Sequence, residues 1–347
     1  MARRALAVTL LLLACGTTPL RPAGDMGVDS GTPALLDGGL HIGPPDAGLA
    51  KKGPPYPIVL AHGFFGFDRF AGLDFLTYFY EVKDDLAGYG EPLVFTPTVD
   101  PFNDSQTRSV QLEAAIDQVL AQTNAAKVNL IAHSQGGLDA RLVAMRRPEV
   151  IATLITVATP HRGTPVSDVV APGTNDPTAS AIIDALVNLV ASPLWADATQ
   201  RSSVTAALRQ FETATMADFN ARVLDQPGVQ YFSVAGRSAL QKASADCETS
   251  NPNRPDFITR YDDTLDPVNA GLSATAAVIS PDPFHPVGND GLVPVSSAKW
   301  GTFLGCVPAD HLDEIGQIAG ANPGLGNDWR HKPFYEALVN FLRARGF

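Results

Sequence analysis

Short apolar runs, uninterrupted by charge, alternate along the chain with stretches in which apolar residues recur every three or four positions. Pro57-Ile58-Val59-Leu60-Ala61, Leu93–Thr96, Val128–Ile131 and Ile151–Val157 are of the first kind, and Val229–Ala235 and Gly291–Val295 are later candidates. Runs that are apolar throughout and rich in β-branched residues read as strands covered on both faces. Residues 75–88, Ser109–Gln122, Leu138–Met145 and Phe334–Arg343 read as helices. Within Ser109–Gln122, Val110, Leu112, Ala115, Ile116, Val119 and Leu120 follow a helical period. Strands alternating with helices predict a mostly parallel sheet flanked by helices.

One junction in this pattern carries chemistry. The run Val128–Ile131 leads into Ala132-His133-Ser134-Gln135-Gly136, and a helix follows directly. A serine between small residues, on a sharp turn from strand to helix, is the nucleophile elbow of the α/β-hydrolase fold. The turn strains the serine backbone, so the residues two before and two after it must be small. Here they are Ala132, where glycine is usual, and Gly136. Ser134 would project its hydroxyl above the sheet, and the Gln135 amide would lie at a helix N-terminus, suited to an oxyanion. The second oxyanion amide is expected from the Gly-rich loop after the first strand, at Phe64 in His62-Gly63-Phe64.

A serine hydroxyl needs a base and an acid that orients the base, and in this fold both follow the serine in the chain. Of the histidines after Ser134, His161 comes too early and reads as a structural loop residue, His285 sits between prolines, and His331 reads as a surface residue opening the last helix. His311, in Ala309-Asp310-His311-Leu312-Asp313-Glu314, follows the last strand candidates and is the expected base. For the acid, Asp290 stands in a Gly-flanked turn, Asn289-Asp290-Gly291, with Asp263, Asp266 and Asp310 as competitors. Asp310 adjoins His311 and is badly placed to reach its ring.

The ends and composition narrow the setting. Arg3 and Arg4 precede a short apolar run, Ala5–Leu13, which closes in Leu12-Leu13-Ala14-Cys15. The run is too short to span a bilayer, and a small residue before cysteine predicts a lipoprotein signal over residues 1–15, with Cys15 lipidated; an ordinary signal peptide is the alternative. Residues 16–55, rich in Gly, Pro and Asp, read as a disordered tether, leaving 56–347 as the folded domain. The net charge of −11 argues against nucleic-acid partners and against a polybasic membrane patch. Two further cysteines, Cys247 and Cys306, in an exported chain predict one disulfide, or else two free thiols.

Taken together, residues 56–63, Gly66-Phe67-Asp68, residues 127–137, Thr159-Pro160-His161-Arg162-Gly163, residues 289–293 and residues 310–314 resemble the secreted bacterial triacylglycerol lipases. More narrowly, they resemble the calcium-containing group that often relies on a dedicated foldase. The resemblance implies the Ser134, Asp290, His311 triad and a structural Ca2+ held by Asp266 in Leu265-Asp266-Pro267, by Asp313, and by the main-chain carbonyls of Gln317 and Ala321. Two carboxylates and two carbonyls suit a hard cation. Cys306 lies beyond the place where the family has its second cysteine, and the lipoprotein leader departs from the freely secreted norm, which bears on the foldase and the secretion route.

Residues 178–196 form an amphipathic stretch, and a helical lid spanning about 165–225 is expected over the site, with an ordinary cap helix as the alternative. The expected activity is hydrolysis of long-chain acylglycerols at interfaces, with no organic cofactor, by a lipid-anchored enzyme of the cell surface or a bacterial membrane, or a secreted one. A phospholipase or polyester depolymerase would use the same triad. A non-catalytic surface-anchored binding module is the rival of another class.

Overall fold

The structure, a computed structural model, describes residues 50–64, 78–170, 179, 182, 208–238, 245–317, 320, 323–324 and 326–347. Six strands form one wholly parallel sheet: β1 (Ile58–Ala61), β2 (Val94–Phe95), β3 (Val128–His133), β4 (Ile151–Val157), β5 (Gln230–Gly236) and β6 (Thr302–Val307), in the order β2-β1-β3-β4-β5-β6. The principal helices are α1 (Val82–Gly88), α2 (Ser105–Thr123), α3 (Gly136–Arg146), α4 (Pro165–Val169), α5 (Thr213–Arg222) and α6 (His331–Arg343).

The period-two geometry of a strand sends alternate side chains to opposite faces. Ile58 and Leu60 of β1 join one core with Val82 and Leu86 of α1 and Tyr335 and Leu338 of α6. Val59 and Ala61 join the other, with Leu112 and Ile116 of α2 and Val143 of α3. Both faces are therefore covered, and every residue of β3 and β4 is buried. A polar side-chain pair between them is satisfied within the sheet: the Thr153 hydroxyl donates to Asn129 Oδ1 at 2.9 Å.

Several sequence expectations are corrected. Gly291–Val295 is not a strand. Asp290 Oδ1 accepts the Leu292 and Val293 amides at 2.8 and 2.6 Å, curling the segment into a turn. The sixth strand is instead Thr302–Val307, which the apolar pattern hid because Gly305 interrupts it at φ +130°, where a Cβ would strike Ile258. Helix α2 begins at Ser105, ahead of its apolar pattern, because the Asp104 carboxylate caps the Thr107 amide at 2.8 Å. The described part of 75–88 is a turn followed by α1 from Val82. His331 is buried rather than on the surface, its Nε2 bonded to the Tyr80 carbonyl at 3.0 Å. Residues 50–55, assigned to the tether by composition, lie in the compact unit Ala50–Phe347, with Lys52 bridged to the segment before β3.

Residues 1–49, Cys15 included, and most of 178–196 fall outside the described residues; Ala179 and Ile182 are helical and buried. No helix among the described residues is long and apolar enough to cross a membrane.

Candidate active site

Ser134 stands between β3 and α3 with φ +55°, the left-handed region that a side-chain-bearing residue adopts only where its surroundings impose it. The restraints are visible. The Ser134 amide donates to the Val157 carbonyl at 2.9 Å, and the Thr159 hydroxyl and the Gly137 amide donate to the Ser134 carbonyl at 2.8 and 3.1 Å. The neighbouring glycines are required by close approach: a Cβ on Gly136 would lie 2.4 Å from the Ala61 carbonyl oxygen, and one on Gly137 2.1 Å from Thr159 Oγ1. Ala132, fully buried in β3, is tolerated at the other small position.

The loops after β5 and β6 bring Asp290 and His311 to this turn. His311 Nε2 lies 2.9 Å from Ser134 Oγ, and Nδ1 lies 2.8 Å from Asp290 Oδ2. Asp290 is 1 % exposed and His311 6 %, so the chain of three groups is shielded from water while Ser134 terminates it. The two loops are also tied directly, the His311 amide donating to the Asp290 carbonyl at 2.9 Å. Asp310, the adjoining competitor, is committed elsewhere. It accepts the Leu312 and Asp313 amides at 3.0 Å and the Asn269 amide at 2.9 Å.

The loop after β1 closes the site. A Cβ on Gly63 would lie 2.6 Å from Ser134 Cβ, so Gly63-Phe64 abuts the serine. Gln135 caps α3, and its side-chain amide donates to the Asn103 carbonyl at 2.9 Å. The Phe64 ring meets Phe102 edge-on at 6.1 Å and packs on an apolar cluster that includes Leu138, Val166, Phe211, Met216 and Ile279.

Sequence reasoning missed a second buried network. Tyr78 Oη lies 2.7 Å from His133 Nδ1, and His133 Nε2 lies 2.8 Å from Glu314 Oε2, itself 4.0 Å from His311 Nδ1. Burial holds His133 well below the ordinary histidine range and pushes the Glu314 carboxyl well above the usual carboxylate range, with Asp290 nearby adding to the latter shift. Burial likewise pushes the Tyr78 phenol up. His133 and Glu314 were in view in the motifs Ala132–Gln135 and Asp310–Glu314, and Tyr78 only within the helix candidate 75–88, but no spacing rule joins positions so far apart. His161 is structural as expected, stacked on Trp300 and bonded to Thr156 Oγ1 at 3.0 Å. His285 is exposed and pairs with Asp282.

The residues expected to hold a metal can be tested by their donors. Both carboxylate oxygens of Asp266 are buried without a hydrogen-bond partner. The nearby Ser238 hydroxyl and Asn327 side-chain amide are committed to backbone carbonyls of Asp266 and Pro308. Burial pushes Asp266 up to about 7, and burial together with the charges of Asp310 and Asp266 pushes Asp313 up to about 8. Two buried carboxylates in mutual repulsion, one wholly unpartnered, are an all-oxygen donor set that fits a hard divalent cation. Gln317 follows in the same loop, its amide bonded to the Leu312 carbonyl at 2.9 Å; Ala321 lies outside the described residues. Cys247 and Cys306 form a disulfide with Cα atoms 5.6 Å apart.

The architecture is that of the α/β hydrolases, whose family model, described as the alpha/beta hydrolase fold, matches residues 56–207. Solved structures share it: lipase 1 from Pelosinus fermentans (19 % identity, 83 % of this chain and 98 % of that one, TM-score 0.53) and the mature lipase BlEst2 of Bacillus licheniformis (18 %, 84 % and 95 %, TM-score 0.52). Curated relatives are similar in sequence. Triacylglycerol lipases of Pseudarthrobacter phenanthrenivorans and Burkholderia plantarii are each 32 % identical over 79 % of this chain, spanning 92 % and 82 % of their own lengths. The chain belongs to the triacylglycerol lipase family, and is a serine ester hydrolase.

Proposed function

We propose that the chain hydrolyses long-chain acylglycerols at an oil–water interface through an acyl-enzyme on Ser134. The observation that carries this reading is the aligned series Ser134 Oγ, His311 and Asp290, with separations of 2.9 and 2.8 Å. His311 Nε2 takes the hydroxyl proton as Ser134 Oγ attacks the ester carbonyl, and returns it to the departing alcohol. Water then attacks the acyl-enzyme by the same route, releasing the fatty acid and restoring Ser134. Asp290 accepts from Nδ1–H, which leaves Nε2 free to act as base and stabilises the imidazolium. The amides of Phe64 and Gln135 receive the oxyanion of each tetrahedral intermediate. Phe64 and the apolar cluster against it supply walls suited to an acyl chain.

Asp266, Asp313 and the Gln317 carbonyl, with Ala321, would hold Ca2+, which would neutralise two buried carboxylates and fasten the His311 loop. Its contribution is structural. Export by the residue 1–15 signal and anchoring through lipid on Cys15 extend the same reading, with a foldase as an assembly partner.

The test is hydrolysis of emulsified acylglycerols and of short-, medium- and long-chain esters by the wild type beside Ser134→Ala, with phospholipid and polyester controls. The variant is expected to lose roughly 10⁶-fold in kcat, the magnitude of removing such a nucleophile. Full activity in Ser134→Ala, or no reaction of the wild type with an organophosphonate, overturns the proposal. A preference for phospholipid or polyester would redirect the substrate and leave the triad standing.

A further inference from the structure

The loop that abuts Ser134 is held from beneath by two buried side chains for which the steps above have no role. His62 is 4 % exposed, and its Nε2 accepts the Val99 amide at 3.0 Å. A backbone N–H can only donate, so Nε2 carries no proton, and the proton of the neutral ring sits on Nδ1. Nδ1 lies 2.9 Å from the Gly63 carbonyl oxygen and donates to it. That carbonyl and the Phe64 N–H belong to one planar peptide and point in opposite directions. Holding the Gly63 oxygen therefore sets the direction of the Phe64 N–H. Burial and the charge of Arg108 hold the His62 ring down to about 3, so this donor pattern persists across neutral and mildly acidic pH.

The preceding peptide is braced as well. Arg108, wholly buried, donates from Nη2 to the His62 carbonyl at 2.6 Å, from Nη1 to the Asp100 carbonyl at 2.7 Å and from Nε to Asp139 Oδ2 at 2.8 Å. Asp139 lies in the first turn of α3, the helix that begins at the nucleophile turn. One guanidinium thus ties the loop after β1 to the helix after Ser134, and its planar fork serves three acceptors at once.

We infer that His62 is a positioning residue for oxyanion stabilisation, its Nδ1–H aiming the Phe64 amide at the developing negative charge while Arg108 braces the peptide before it. The inference rests on the ester-hydrolase reading above. It explains why an imidazole stands there: two nitrogens on opposite sides of one rigid ring reach Val99 and Gly63 simultaneously.

The geometry supplies a discriminating pair of variants. The amide nitrogen of asparagine can occupy the place of Nδ1, and the amide group of glutamine that of Nε2. His62→Asn keeps the donor to Gly63 and loses the acceptor for Val99; His62→Gln does the reverse. Steady-state hydrolysis of a soluble p-nitrophenyl ester, thermal melting, and affinity for a boronic acid that adds to the serine are measured for both. His62→Asn is expected to hold kcat within about threefold of wild type. His62→Gln is expected to lose about ten- to a hundredfold, short of the 10²–10³ for outright loss of an oxyanion donor, with KM nearly unchanged and boronate affinity falling in parallel. Equal losses in both variants tracking their melting temperatures, a loss confined to KM, or a better enzyme from Gln than from Asn overturns the inference. If His62→Gln does not fold, Arg108→Lys decides: a kcat loss at constant KM supports the brace, and an unchanged kcat refutes it. A wild type inactive on every ester would instead sink the underlying reading, and this inference with it.

Discussion

Gly136→Ala tests whether packing at the nucleophile turn is as close as the structure requires. An added Cβ would sit 2.4 Å from the Ala61 carbonyl oxygen, 2.7 Å from that of His62 and 2.9 Å from the Ala61 carbonyl carbon. Ordinary contact begins near 3.4 Å, so the nearest atom is a full ångström too close. All three obstacles are backbone at the end of β1 and the start of the loop after it, and the His62 carbonyl is clamped by Arg108. Alanine in place of glycine in an ordinary helix would gain up to about 1 kcal/mol. Here overpacking of about 1–3 kcal/mol or more acts against that gain, and the expected balance is a net loss of about 2 kcal/mol. At roughly 2–4 °C per kcal/mol for a domain of this size, the melting temperature should fall by about 4–8 °C. Because the displaced carbonyl belongs to the loop carrying Phe64, kcat should fall as well, by up to about 10²-fold if that amide is misdirected. Gly88→Ala, in α1 with nothing within 4 Å of its Cβ, is the control and should be neutral or slightly stabilising. Differential scanning calorimetry and ester kinetics on both variants give the answer. A Gly136→Ala protein that melts with the wild type and turns over at the same rate would show that the turn is not packed as described.

Further outcomes follow from other parts of the molecule. Chelation with EDTA should lower the melting temperature of the wild type and leave Asp266→Asn unaffected; an unchanged wild type refutes the cation site. Replacing Cys247 and Cys306 together by Ala opens a link between residues 59 positions apart, and denaturant titration should register a loss of up to about 4 kcal/mol from the unfolded chain's regained entropy. Burial pushes Asp139 from 3.8 up to about 6, so the folded state binds the extra proton between those values. The Asp139 contribution to stability is therefore full below about pH 4 and is lost as pH rises through about 6. Asp139→Asn should flatten the fall of stability with pH in that window, and an identical slope in the variant would refute the shift.

The strand-and-helix alternation and the sharp turn at Ser134 were legible because each is a local pattern. Apolar runs such as Val128–Ile131 announce a doubly covered strand. Ala132, Ser134 and Gly136 announce a turn whose sterics leave few choices. His311 emerged by elimination among few histidines, and Asp290 from a turn whose carboxylate does curl the chain. The same local logic misread Gly291–Val295, because an apolar composition does not reveal that Asp290 has captured the two amides a strand would need. It passed over Thr302–Val307, because β6 is stabilised by pairing with β5 and not by its own pattern. His331 looked like surface for a related reason: its burial comes from the Tyr80 carbonyl, 251 residues away in the chain.

Sequence by itself determined the fold class and the strand-to-helix turn that carries Ser134, since these depend on backbone sterics and short-range spacing, and it put forward His311 and Asp290, which the fold brings within hydrogen-bond distance of that turn and of each other. Only the tertiary structure decided which other buried groups meet: Tyr78 with His133 and Glu314, and Arg108 with His62 and Asp139; the Cys247–Cys306 disulfide was already expected from the sequence. Hydrogen bonds and charges act over a few ångströms of space regardless of chain separation, so such partnerships exist only once the chain has folded.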